Sequence, residues 1–149
     1  MKSLLKGIGS SRDIKKYYDV WSTTYDNSLL EWNYQAPRKA TLFLKKFTKT
    51  RPRYLLDLAC GTGLFVQEFK KIYPDCACDG SDISKKIINI SQQKGLFRNL
   101  YQSSFEKEIR LNNLYNIVSL IGGMTYCTNY QLLFSLVYKY LEKTTEVLV

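Results

Sequence analysis

The 149-residue chain contains no histidine. That removes together the commonest general base near neutral pH, the serine and cysteine triads that depend on it, and most zinc sites. Only three prolines are present, and no linker, low-complexity tract or internal repeat stands out. Long apolar runs are missing as well. The longest uncharged stretch, 111–138, is interrupted by Asn112, Asn113, Asn116, Gly122, Gly123, Asn129 and Gln131, which excludes a membrane-spanning helix. The opening MKSLLKGIGSSR has neither an apolar run of signal-peptide length nor a small-residue cleavage site before Ser10. Cysteines are few, at positions 60, 76, 78 and 127, and a lone Cys-x-Cys lacks the second cluster a metal site needs. The expectation is a cytoplasmic chain with reduced, mostly buried thiols and no metal.

What remains fits one globular domain, with 45% hydrophobic and 23% charged residues. The net charge of +9 is uneven: residues 1–56 carry 12 lysines and arginines against 4 acids, whereas the rest is nearly balanced. A basic segment of this kind attracts an anionic partner such as nucleic acid, or else is the solvated face of an ordinary helix.

Residues 13–25 place Tyr17, Tyr18, Trp21 and Tyr25 near helical spacing, which predicts one helix. Ala36-Pro37 opens a second, with Leu42, Phe43 and Phe47 expected inward. A buried strand over 54–59 runs into Cys60-Gly61-Thr62-Gly63, and a helix follows over 64–73. The alternation continues with a strand over 76–81 and a helix capped by Ser84, its Ile87, Ile88 and Ile90 inward, which Gly95 stops. Strands over 99–102 and 116–121 come next. Leu132, Leu133, Leu136, Val137, Tyr140 and Leu141 then mark a helical stripe, and 146–149 begins a last strand. Such alternation predicts an α/β fold: a doubly wound, mostly parallel sheet with N-terminal helices, whose ligands sit beyond the carboxyl ends of the strands.

The first strand ends in Asp57-Leu58-Ala59-Cys60-Gly61-Thr62-Gly63. A dinucleotide fingerprint needs glycines at 59, 61 and 64, where this chain has Ala59, Gly61 and Leu64, and Asp57 adds a carboxylate that a pyrophosphate does not want. The second strand ends in Gly80-Ser81-Asp82-Ile83-Ser84, which sets an acid at the place where both ribose hydroxyls can be accepted. With these two motifs the chain resembles the class I S-adenosylmethionine-dependent methyltransferases: LLDLACGTG is similar to their first motif and GSDIS to their second. Tyr18-Asp19-Val20-Trp21 and Tyr25-Asp26 resemble the YDxW...YD segment of small-molecule members. Tyr34 with Ala36-Pro37-Arg38 looks most like the methyltransferase-like group of the Williams-Beuren chromosome region.

The resemblance implies S-adenosyl-L-methionine as cofactor. It assigns Asp57 to the methionine ammonium, Ala59, Gly61 and Gly63 to the turn beside the methionine part, Asp82 to the ribose and Ile83 to the adenine. Ser103 and Ser104 stand where many relatives carry an adenine-binding Asp, and Tyr18, Trp21 and Tyr25 belong to a lid over the cofactor. It implies methyl transfer to a small acceptor by in-line displacement, with Tyr25 or Tyr126 as the catalytic candidates if a proton must leave. The alternatives are an S-adenosylmethionine-binding protein without transferase activity, and an RNA methyltransferase drawn from the basic first third. On this reading 1–50 form the helical lid and 51–149 a cofactor-binding domain that lacks the family's last strands. An unshielded edge at Val147, Leu148 and Val149 then favours self-association.

Overall fold

Strand β1, Tyr54–Leu58, lies at the centre of the protein because both of its faces are apolar. Leu55, Leu56 and Leu58 are fully buried, each burial contributing roughly 1.5–3 kcal/mol. The structure, a computed structural model, describes residues 10–143. Four strands, β1, β2 (Ala77–Asp82), β3 (Asn99–Gln102) and β4 (Ile117–Ser119), form one parallel sheet in the order β3-β2-β1-β4. The order reverses between β1 and β4, and ligands of such sheets lie at that switch point.

Helices cover both faces. Helix α1 (Ser11–Trp21), a 3-10 turn over Ser22–Thr24, and helix α2 (Tyr25–Glu31) replace the single helix expected over 13–25. The break falls where the Ser22 hydroxyl donates to the Asp19 carbonyl at 2.9 Å, competing with the helical ladder. Helix α3 (Ala36–Phe47) packs along α4 (Leu64–Lys70), and Leu44 joins Leu55, Phe65, Val66, Phe69, Cys76 and Cys78 in one core layer. Helix α5 (Lys85–Gln93) packs on β2 and β3, capped by the Ser84 hydroxyl. Helix α6 (Tyr130–Tyr140), capped by Asn129, closes the opposite face around Leu56, Leu58, Tyr115, Leu133 and Leu136.

Several inward assignments are corrected. In α3 the buried positions are Pro37, Thr41 and Leu44, the row facing α4, so Leu42, Phe43 and Phe47 turn outward. Leu132 is exposed and Ile90 only half-buried, since the stripes of α6 and α5 are narrower than the apolar pattern suggested. Strand β4 stops at Ser119, two residues earlier than expected, because Gly122 at φ 81° turns the chain away. Cys60, Cys76 and Cys78 are buried free thiols and Cys127 is half-buried. After α6, Leu141 makes an isolated parallel bridge with Tyr115. The strand expected over 146–149, with its proposed edge for self-association, lies outside the described residues. No helix among the described residues is long and apolar enough to cross a membrane.

Candidate functional site

A cavity opens over the carboxyl ends of β1, β2 and β4, with about 990 Å³ of empty space including its mouth. Its floor is the turn that follows β1. Ala59 (φ 51°) and Gly61 (φ 55°) both adopt the left-handed conformation, which curls the backbone so that Gly61 lies beneath the Tyr25 ring. Gly122 takes φ 81° at the end of β4 and leaves room for the Tyr34 hydroxyl, which lies 2.7 Å from where a side-chain carbon would be.

Two carboxyls face this space. Asp57 is fully buried in β1 and accepts a hydrogen bond from the Ser119 hydroxyl at 2.7 Å. Burial pushes its carboxyl up to about 7, opposed by the Ser119 bond and reinforced by repulsion from Asp82. Asp82 ends β2 and accepts from the Gly61 N–H at 3.0 Å and the Ser84 N–H at 2.9 Å, which ties the turn after β1 to the start of α5. Burial raises it to about 6 despite those amides, and Asp19 adds repulsion. Glu106 is the remaining charged lining residue, but its carboxylate is spent on the backbone N–H groups of Thr128 (2.6 Å) and Asn129 (2.7 Å) before α6. The described lining therefore carries acids and no lysine or arginine, the electrostatics of a site for a cationic rather than a phosphate-bearing ligand.

Aromatic side chains make the roof. Tyr18 on α1 and Tyr25 at the start of α2 cover the floor, and the Tyr18 and Tyr126 hydroxyls meet at 3.0 Å across the cavity. Burial raises the phenols of Tyr18, Tyr25 and Tyr126 above their ordinary value, with Asp82 adding to the first two. These tyrosines stay neutral at physiological pH and serve as hydrogen-bonding groups. Tyr25 and Tyr126, the candidates for handling a proton, both line the cavity.

Of the residues singled out in the sequence, Tyr18, Tyr25, Asp57, Ala59, Gly61, Asp82, Ile83, Ser103, Ser104 and Tyr126 all line the cavity. Two do not. Trp21 is buried among Tyr17, Tyr18, Tyr25 and Trp32, with its indole N–H on the Ser28 hydroxyl at 3.1 Å, so it forms the core of the roof rather than its inner surface. Gly63 faces Phe97 and Leu96 on the other side of the turn, where a side-chain carbon would lie 2.9 Å from the Phe97 ring. Leu29, Pro37, Phe105, Gly123 and the ring of Tyr34 also line the space. Tyr34 and Pro37 were part of the sequence resemblance, whereas Leu29, Phe105 and Gly123 carry no sequence signal for the site.

The two raised carboxyls set a pH dependence. A carboxyl whose pKa is higher in the folded state stabilises the fold below about pH 4, and that contribution is lost as pH rises through about 6 to 7. The ligand-free chain is therefore expected to melt higher at pH 5.5 than at pH 8. A cationic ligand favours the ionised carboxyls, so its affinity is expected to rise over the same interval, by up to about tenfold per pH unit below 7 for each proton released. Melting curves and calorimetry across this range check both halves, and affinity independent of pH would remove Asp57 and Asp82 from the ligand's surroundings.

No protein-family model matches the chain. Among curated proteins it is 33% identical over 49 residues to malonyl-[acyl-carrier protein] O-methyltransferase of Halalkalibacterium halodurans, covering 33% of this chain and 18% of that protein. It is also 33% identical over 87 residues to human methyltransferase-like protein 27, covering 56% of this chain and 35% of that protein. Among solved structures, DesVI of Streptomyces venezuelae superposes with a TM-score of 0.67 at 20% identity, covering 81% of this chain and 52% of that one. The plantazolicin methyltransferase BpumL, solved in complex with SAH, gives 0.62 at 17% identity over 92% and 60%. The matches thus span 52% and 60% of these solved chains and 18% and 35% of the curated relatives. With its parallel sheet flanked by helices, the chain has the Rossmann-like methyltransferase fold.

Proposed function

We propose that the chain binds S-adenosyl-L-methionine and transfers its methyl group to a small acceptor molecule. The observation that carries this reading is the pair of buried carboxyls, Asp57 and Asp82, bracketing a glycine turn at the ends of adjacent strands under an aromatic roof. S-adenosylmethionine carries an ammonium and a sulfonium but no phosphate, which suits a lining with acids and no bases. It also supplies an electrophilic methyl that an acceptor nucleophile takes by in-line displacement, leaving the thioether. Asp82 keeps lone pairs free for ribose hydroxyls beside the amides it already accepts, Asp57 supports the ammonium, and Ile83, Ser103 and Ser104 form the wall next to the base. Tyr18, Tyr25 and Tyr126 exclude water and hold the reacting groups together, which is the larger part of catalysis in a displacement of this kind.

Small-molecule methyl transfer gains support from neighbours of the same fold, among them the sugar N-methyltransferase KedS8 and the O-methyltransferase of a trans-AT PKS multienzyme. Kinship with the Williams-Beuren methyltransferase-like group belongs to the same reading, supported by Tyr34, Ala36-Pro37-Arg38 and the match to a human methyltransferase-like protein. The test is incubation with methyl-labelled S-adenosylmethionine and fractionated small-molecule extract. Label in a small acceptor is expected; label only in RNA would replace the acceptor class, and binding without turnover would leave a cofactor-binding protein.

A further inference from the structure

The acids of the two Tyr-Asp pairs, Asp19 and Asp26, have no part in the chemistry above, and both reach out of the roof to the turns beneath it. Asp19 on α1 accepts from the hydroxyl of Ser84, the cap of α5, and from Lys15 one helical turn away. Asp26 on α2 accepts from the hydroxyl of Thr62, in the turn after β1, and from Lys94 Nζ at 2.6 Å beyond the end of α5. Ser84 and Thr62 are buried. They belong to the same two turns whose Ser84 and Gly61 amides donate to Asp82. Each turn is thus held from within by Asp82 and from above by a carboxylate of the roof. Polar contacts run unbroken from Lys15 through Asp19, Ser84, Asp82, Gly61-Thr62 and Asp26 to Lys94.

Each oxygen of Asp19 and of Asp26 accepts a hydrogen bond from these partners, and neither residue lines the cavity. Helices α1 and α2 have 11 and 7 residues, too short to persist alone, and their place over the cavity depends on docking. We propose that Asp19 and Asp26 are positioning residues that fasten the roof to Ser84 and Thr62, so that roof docking and engagement of Asp82 by a ligand are thermodynamically linked. Linkage is reciprocal: whatever a bound ligand adds to roof docking, loosening the roof subtracts from ligand affinity. The identity of the ligand rests on the function proposed above; the docking does not.

The protein's only two tryptophans, Trp21 and Trp32, lie in the roof with ring centroids 5.4 Å apart and Trp21 almost fully buried, so their emission reports docking without any ligand. In the full chain carrying Asp19→Ala and Asp26→Ala, emission is expected to shift to the red while cooperative melting of the sheet persists. Affinity for S-adenosylhomocysteine, by calorimetry, is expected to fall at least tenfold. Thr62→Val keeps shape and removes the hydroxyl. It is expected to weaken binding like Asp26→Ala and to add little to it, while Thr62→Ser restores affinity. Unmoved emission would overturn the docking, and shifted emission with unchanged affinity would overturn the linkage. Should the unaltered chain fail to bind S-adenosylhomocysteine, the proposed function and the linkage fall together, and the emission still decides the docking.

Discussion

Asp79→Ala is expected to destabilise the fold by about 3–5 kcal/mol, a large share of the roughly 5–15 kcal/mol that holds a domain together. Asp79 is fully buried in β2 and gathers five donors: Arg98 Nε at 3.1 Å and Nη2 at 2.7 Å, the Asn99 amide at 3.0 Å and side chain at 3.1 Å, and the Tyr115 hydroxyl at 2.6 Å. These donors come from β3, from the residue before it and from the approach to β4, so a single carboxylate joins the segments that flank β2. Truncation leaves the Arg98 guanidinium and a buried phenol without an acceptor, and the loss of the pair therefore exceeds anything a surface ion pair contributes. The melting temperature is expected to drop by about 10 °C or more, and Asp79→Asn, which keeps one acceptor, by less. A drop of only a degree or two would show that water replaces the carboxylate.

Asp82→Ala has the largest expected effect on binding. Its carboxylate holds the Gly61 and Ser84 amides in place and stands open to the cavity, so truncation removes a charged acceptor and slackens both turns together. Affinity for S-adenosylhomocysteine is expected to fall by about 1.5–3 kcal/mol, roughly ten- to a hundredfold, without global unfolding. An unchanged dissociation constant would separate Asp82 from the ligand. Gly61→Val is expected to weaken binding as well, by straining the turn that floors the cavity. A side-chain carbon there meets the Tyr25 hydroxyl at an ordinary 3.6 Å, and the strain arises from a β-branched residue at φ 55°.

The floor of the site was legible in the sequence because it is local. A strand, a Gly-x-Gly turn and an acid at the end of the next strand are adjacent along the chain, and parallel pairing of β1 with β2 makes them adjacent in space. The fastening of the roof was not legible, since Thr62 and Asp26 are 36 residues apart and Ser84 and Asp19 are 65 apart. The sequence motif marks Asp19 and Asp26 beside their tyrosines but carries no sign of the partners they find. Asp79 was hidden in the same way, three residues before the more conspicuous Asp82, because nothing in a strand's pattern announces that Arg98 and Tyr115 converge on it. Phe43 and Phe47 misled through their apolarity: the face of α3 that is buried is chosen by its neighbour α4, and Thr41 takes the inner place by donating to the Pro37 carbonyl at 3.0 Å.

The central claim, that two buried acids under an aromatic roof form a site for a cationic nucleoside rather than a pyrophosphate, is met most directly by calorimetry on the unaltered chain with S-adenosylmethionine, S-adenosylhomocysteine and NAD in parallel. Single-site binding of the first two and no measurable uptake of NAD are expected. Heat from NAD with none from S-adenosylmethionine or S-adenosylhomocysteine would contradict it.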